Sequence, residues 1–164
     1  MTHSKHFHLI TTGGTIDSYY DPDQCAPLCF KESILPKYLE QHSGINKEDY
    51  FFSQVCSKDS REVAEEDREE VIKTINKSPL SAIVITHGSF TLFDFARFLQ
   101  KRKAQLNDKT IILTGSLRPI DGFTYSDGLF NLGAASLASQ YASAGIYVCI
   151  EGKLFHPEER ELWH

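Results

Sequence analysis

The sequence predicts an α/β fold, a three-layer αβα sandwich around a mainly parallel, doubly wound sheet. Two observations carry that prediction. Five short runs rich in Ile and Val recur along the 164 residues, and continuous apolar character suits strands buried on both faces of a parallel sheet. Segments with helical periodicity separate the runs, and alternation of strand and helix predicts right-handed crossovers with helices on both faces.

The first strand is predicted over Phe7–Thr12 and runs straight into Gly13-Gly14. The others are expected over Phe51–Cys56, Ala82–Thr86, Thr110–Thr114 and Ile146–Ile150. Helices are expected over Lys31–His42, Ala64–Asn76, Leu92–Lys103 and Gly128–Ala142. In the second of these, Val71, Ile72 and Ile75 share one side of an otherwise charged segment, as a surface helix requires. The fourth is rich in Ala, Leu and Gly and is expected to pack closely on the sheet. No repeat or interdomain linker interrupts the pattern, so residues 1–164 are read as one domain with one core.

Composition narrows the function classes. Apolar residues make up 41% of the chain and only 6 are Pro, which argues against disorder. A net charge of −5 argues against a dominant phosphate-binding surface, and therefore against a nucleic-acid partner. The Lys101-Arg102-Lys103 run reads as a solvated helix end. No run approaches the ~18 apolar residues of a membrane span, and no signal-peptide core opens the chain, so a cytoplasmic protein is expected. Cys25, Cys29, Cys56 and Cys149 are then thiols. Cys25 with Cys29 makes half a metal site and has no second close pair. His3, His6 and His8 lie at a terminus entering a strand. Neither group is read as a metal centre, and no cofactor is expected.

The polar clusters gain meaning from where they fall. Thr11–Thr15, Ser57–Arg61, Thr86–Ser89 and Thr114–Pro119 each follow a predicted strand. In an open α/β sheet the carboxyl edge of the strands is where ligands bind. Gly13-Gly14 lets the backbone turn tightly and brings amide N–H groups toward a ligand. Thr15 then presents a hydroxyl that acts either as a nucleophile, given a proton acceptor, or as a turn cap. The loop lacks the Gly-x-Gly-x-x-Gly fingerprint and the Gly-Lys-Ser/Thr ending of nucleotide sites, and no Gly-x-Ser-x-Gly elbow occurs. His87 and Ser89 sit too close in one loop to face each other as a catalytic pair.

Thr11-Thr-Gly-Gly-Thr-Ile16 resembles the first signature of bacterial-type L-asparaginases, and Ile85-Thr-His-Gly-Ser-Phe-Thr91 resembles their second, Ile-Thr-His-Gly-Thr-Asp-Thr. Ile112–Pro119 is similar to the family's Leu-Thr-Gly-Ala-Met-Arg-Pro element, and Asp127–Gly133 to the Asp-Gly-x-x-Asn-Leu segment after it. Ser57-Lys58-Asp59 stands where the family has a Ser-x-Asp substrate loop. The chain resembles the amino-terminal domain of that two-domain family, and most of all its short single-domain members.

The resemblance implies an amidohydrolase that converts asparagine to aspartate and ammonia without a cofactor. Its nucleophile would be Thr15, with Ser89 in the place of the family's second site threonine. A tyrosine on the following mobile loop would assist proton transfer, Tyr20 or its neighbour Tyr19. Ser57, with Lys58 and Asp59 beside it and the backbone of Gly14 and Gly88, would hold the substrate carboxylate. Two positions depart from the pattern. Phe90 replaces the aspartate that receives the substrate ammonium, leaving that role to Asp59 or Asp17. No lysine matches the family's late catalytic lysine, and the nearest bases are Lys153 and Arg160. An arginine cannot accept a proton. The alternative is therefore a catalytically degenerate domain that kept the pocket and binds a small ligand or partner. A symmetric homodimer is the expected assembly, with the aromatic stretch Phe90–Phe95 or a buried helix start explaining those rings.

Overall fold

The computed structural model describes residues 5–163, so His3 lies outside the described residues. The chain opens with β1 (Phe7–Gly13), followed by a hairpin of β2 (Ser18–Asp21) and β3 (Ala26–Cys29) and by helix α1 (Leu35–His42). Next come β4 (Tyr50–Lys58), α2 (Glu65–Lys77), β5 (Ala82–Thr86), α3 (Leu92–Lys101) and β6 (Thr110–Thr114). It closes with α4 (Gly128–Tyr141), β7 (Gly145–Ile150) and β8 (Lys153–Phe155).

The main sheet runs in the order β4-β1-β5-β6-β7-β8, parallel except for β8, which pairs antiparallel with β7. Every residue of β1, β5 and β6 is buried, as the apolar runs require. Alternation along the strands then divides the core between two faces. Ile10, Ile83, Ile85, Ile111 and Leu113 join Val71, Ile72 and Ile75 of α2 and Phe93, Phe95 and Leu99 of α3. Leu9, Val84 and Ile112 join Leu35 and Leu39 of α1 and Leu132 and Ala135 of α4 on the opposite face. The arrangement is the expected three-layer sandwich.

One expectation fails, because the crossovers do not share a hand. The steps β5–α3–β6 and β6–α4–β7 advance across the sheet in the same direction, yet α3 and α4 lie on opposite faces. Those two crossovers are therefore mirror-handed. The steps through α1 and α2 agree with the one through α3, which leaves β6–α4–β7 as the exception to the right-handed rule. The 13 residues from 115 to 127 make it possible by carrying the chain over the sheet edge before α4 begins.

Two further differences are local. Helix α1 starts at Leu35 rather than Lys31. Pro36 fits only the first turn, the Asp17 carboxylate accepts the Ile34 N–H at 3.0 Å, and Gln54 ties the backbone of Lys31 and Ser33. The stretch after Thr15, expected to be a mobile loop, is instead the β2–β3 hairpin. It is anchored from afar: Tyr20 N–H donates to Asp121 O at 2.9 Å, and Asp121 N–H to Ser18 O at 3.2 Å.

Candidate active site

In the sheet order, β1 lies between β4 and β5, so the chain passes to one side of β1 and then returns to the other. The crevice between the carboxyl ends of β1 and β5 is the topological switch point, where a ligand meets backbone from two diverging loops. Here the two loops interlock. Gly14 adopts φ +79°, and a Cβ placed on it would fall 2.3 Å from the amide nitrogen of Gly88. A Cβ on Gly88 would in turn lie 2.6 Å from Cβ of Ser60, in the loop after β4. Gly14 is required by a backbone-to-backbone approach and a positive φ, and Gly88 by its contact with the Ser60 side chain, so three strand-end loops meet here. Gly14 N–H also donates to Lys58 O at 2.9 Å.

Beneath these loops runs a buried polar chain. Thr12 Oγ1 donates to Thr86 O at 2.9 Å and lies 2.7 Å from His87 Nδ1. His87 Nε2 is 2.9 Å from Thr91 Oγ1, which reaches Ser60 O at 3.1 Å. Burial, aided by the charge of Arg68, lowers the His87 pKa to about 3, so the ring is neutral. His87 is thus not paired with Ser89; it ties the ends of β1, β4 and β5 together. The sequence carried a signal for this, a histidine between two threonine-bearing strand ends, but not the partners.

A cleft of about 340 Å³ opens beside the interlock. Gly14, Thr15, Ser18, Ser57, Lys58, Asp59, Arg61 and Glu62 line it, and Pro27, Leu28 and Cys29 of β3 close its far wall. Five expected site residues therefore converge: Gly14, Thr15, Ser57, Lys58 and Asp59. Two of their charges are already engaged. Asp59 accepts the backbone N–H of Arg61 and both Nε and Nη2 of its guanidinium, at 2.8–2.9 Å, and these bonds hold its carboxyl below the usual range. Lys58 Nζ turns away to Asp67, 2.7 Å off. Ser57 Oγ donates to Phe30 O, which fixes the β3 side of the cleft to β4. Burial raises the pKa of the Cys29 thiol, so Cys29 supplies no ready thiolate there.

Other expected residues lie outside this cleft. Gly88 is buried behind Gly14, and Ser89 begins the short turn Ser89–Thr91 without lining the cleft. Phe90 is 76% exposed, with the Arg61 guanidinium 5.4 Å above its ring. Tyr20 packs edge-on against Phe123 at 4.7 Å and lines a separate cavity with Tyr19. Asp17 is buried at the entry to α1, where burial raises its pKa, so it faces no cleft ligand. Lys153 and Arg160 belong to β8 and the chain end, and neither lines the cleft. Asp127 and Asn131 are structural: Asp127 accepts the N–H groups of Leu117 and Arg118, and Asn131 bridges Gly115 O and Glu151 N–H. Arg61, Glu62 and the β3 wall are cleft residues that sequence reasoning did not single out. The described residues contain no group of His, Cys, Asp and Glu arranged to hold a metal, and no helix long and apolar enough to cross a membrane.

Hydroxyls of Thr15, Ser18 and Ser57 thus share one cleft at the carboxyl edge of the sheet, between the ends of β1 and β4 and next to the switch point. Comparison with known proteins then supplies the family. The profile of the asparaginase amino-terminal domain matches residues 6–164, and the chain belongs to that family. Among solved structures, the thermostable L-asparaginase from Thermococcus kodakarensis superposes with a TM-score of 0.71 at 24% identity, over 92% of this chain and 45% of its own. A probable cytoplasmic L-asparaginase from Campylobacter jejuni gives 0.72 at 26% identity, over 94% of this chain and 47% of its own. The chain thus spans about half the length of the structures it matches. No curated protein matches it significantly.

Proposed function

We propose that the chain, acting as one domain, hydrolyses a small side-chain amide of the asparagine type through a covalent intermediate on Thr15, without a cofactor. The observation that carries this reading is the Gly14–Gly88 interlock. It holds Thr15 on a turn braced by backbone contacts, in one cleft with Ser57 and backbone of the loops after β1 and β4. A hydroxyl nucleophile needs a fixed position and donors aimed at the developing oxyanion. Ser57 and the Gly14 side of the cleft would hold the substrate carboxylate, while Ser89, behind Gly88, would support the second turn. Tyr20 would enter the reaction only after a shift of the β2–β3 hairpin, since its ring lines the neighbouring cavity. A homodimer in the cytoplasm belongs to the same reading. Four free thiols fit a reducing compartment. The exposed, uncharged stripe Phe130, Leu137 and Tyr141 along α4 suits a contact between copies.

The test is ammonia release from L-asparagine by the wild type and by Thr15→Ala. Turnover that disappears in the variant is the expected result, and equal rates would refute Thr15 as the nucleophile. The second reading, binding without turnover, draws on the engagement of Asp59 by Arg61 and the outward position of Phe90. With both so placed, no unpaired aspartate lines the cleft among the described residues, and the carboxylate that remains there outside an ion pair is that of Glu62. Calorimetric binding of aspartate with no ammonia released from any small amide would favour it.

A further inference from the structure

The long crossover that reverses hand at residues 115–127 helps form a second cavity, of about 680 Å³, on the far side of the hairpin that carries Tyr20. It lies beyond the β2–β3 hairpin from the Thr15 cleft. Ser18, Pro27, Leu28 and Cys29 line the cleft, whereas Tyr19, Tyr20 and Pro22 of the same hairpin line the cavity. Its walls are two pairs of aromatic rings. Tyr19 packs at 5.1 Å on Phe30, and Tyr20 meets Phe123 edge to face at 4.7 Å. Asp121 supplies the only ionisable group besides the tyrosines. Its backbone is bonded to β2 on both sides, in register with Tyr19, which anchors the residue beside the rings. Asp121 enters none of the ion pairs among the described residues.

Aromatic faces with one unpaired carboxylate are complementary to a cation. The ring quadrupoles attract positive charge, and the carboxylate adds direct Coulomb attraction. A primary ammonium carries three N–H donors that need acceptors, and a wall made mostly of rings offers few. A quaternary ammonium has no N–H group and lies easily against ring carbon. We propose that this cavity binds a quaternary ammonium group, with Asp121 as counter-ion and Tyr19, Tyr20, Phe30 and Phe123 as the cage. The proposal does not rest on Thr15 as the nucleophile, although Tyr20 belongs to both readings.

The test is calorimetric titration of the full chain with choline and with its neutral isostere, 3,3-dimethylbutan-1-ol. Choline should saturate a single site and bind several-fold more tightly than the isostere, the range expected for a cation on partly exposed aromatic faces. Asp121→Asn keeps the backbone bonds and should weaken choline several-fold, the size of an exposed charge pair. Tyr20→Ala should weaken it several-fold, and Thr15→Ala should leave it unchanged. No saturation by choline, equal affinity for the isostere, insensitivity to Asp121→Asn, or loss of binding in Thr15→Ala would each overturn the assignment.

Discussion

The neutral His87 ring makes the stability of the whole site depend on acid. In the unfolded chain a histidine titrates near its ordinary value of 6.5, whereas burial lowers the folded value to about 3. Between those two values the unfolded state binds a proton that the folded state refuses, so folding weakens as pH falls. At 1.36 kcal/mol per pH unit, acidification from pH 7.5 to pH 4.5 costs about 3 kcal/mol through this one residue. For a chain of this size that corresponds to a fall of roughly 6–12 °C in Tm. Urea unfolding of wild type and His87→Gln at both pH values isolates the effect, since the carboxylates titrate alike in the two proteins. Gln can also bond to Thr12 and Thr91, so a folded variant is expected, less stable at pH 7.5 and less sensitive to acid. If both proteins lost the same stability across that window, the ring would not be held neutral and the reasoning would fail.

Three further perturbations probe separate parts of the fold. Gly14→Ala forces a Cβ to within 2.3 Å of the Gly88 nitrogen at a φ of +79°, and should cost several kcal/mol or prevent folding, as read by circular dichroism melting. Asp67→Ala removes the acceptor for Ala64 N–H at the start of α2, 2.9 Å away, and should cost about 1 kcal/mol by urea titration. Asp17 has a folded pKa raised by burial, so the folded state holds its proton more tightly and loses stability as pH rises through that value. Asp17→Asn still accepts the Ile34 N–H and should melt higher than wild type at pH 7, with the advantage gone at pH 3.

The parts of the fold legible in the sequence are those decided by local burial. Strands β5 and β6 fall where the apolar runs place them, and β1 and β4 differ only at their ends. For the candidate site, the sequence placed Thr15 and Ser57 on one sheet edge, and the structure puts Thr15 just after β1 and Ser57 near the end of β4, in one cleft. What the sequence concealed depends on contacts distant along the chain. The β2–β3 hairpin has no regular alternation and turns through Cys25 at φ +50°, and residues near 121 hold it in place. The reversed crossover follows from where residues 115–127 run, which no local pattern encodes. Phe90 shows the opposite error. It stands where the family signature has a pocket aspartate, yet it is the middle residue of the turn Ser89–Thr91, and its ring is 76% exposed beneath the Arg61 guanidinium.

The two walls of the Thr15 cleft are built differently, and the difference bears on chemistry. On one side three loops meet in close contact, with glycine enforced by contact distances and the His87 chain buried beneath. Such a wall cannot move by even a methyl group without steric conflict, and a nucleophile needs a fixed position of this kind. On the other side stands a two-stranded hairpin, a structure with little stability of its own. Its hold on the rest is a few hydrogen bonds: Ser57 to Phe30 O, Phe30 N–H to Asp17 O, and the pair between β2 and Asp121. The aromatic cavity lies directly behind it. The cavity and the Thr15 cleft therefore share one wall, the eight strand residues of the hairpin, with Tyr19 and Tyr20 facing one side and Ser18 and Cys29 the other.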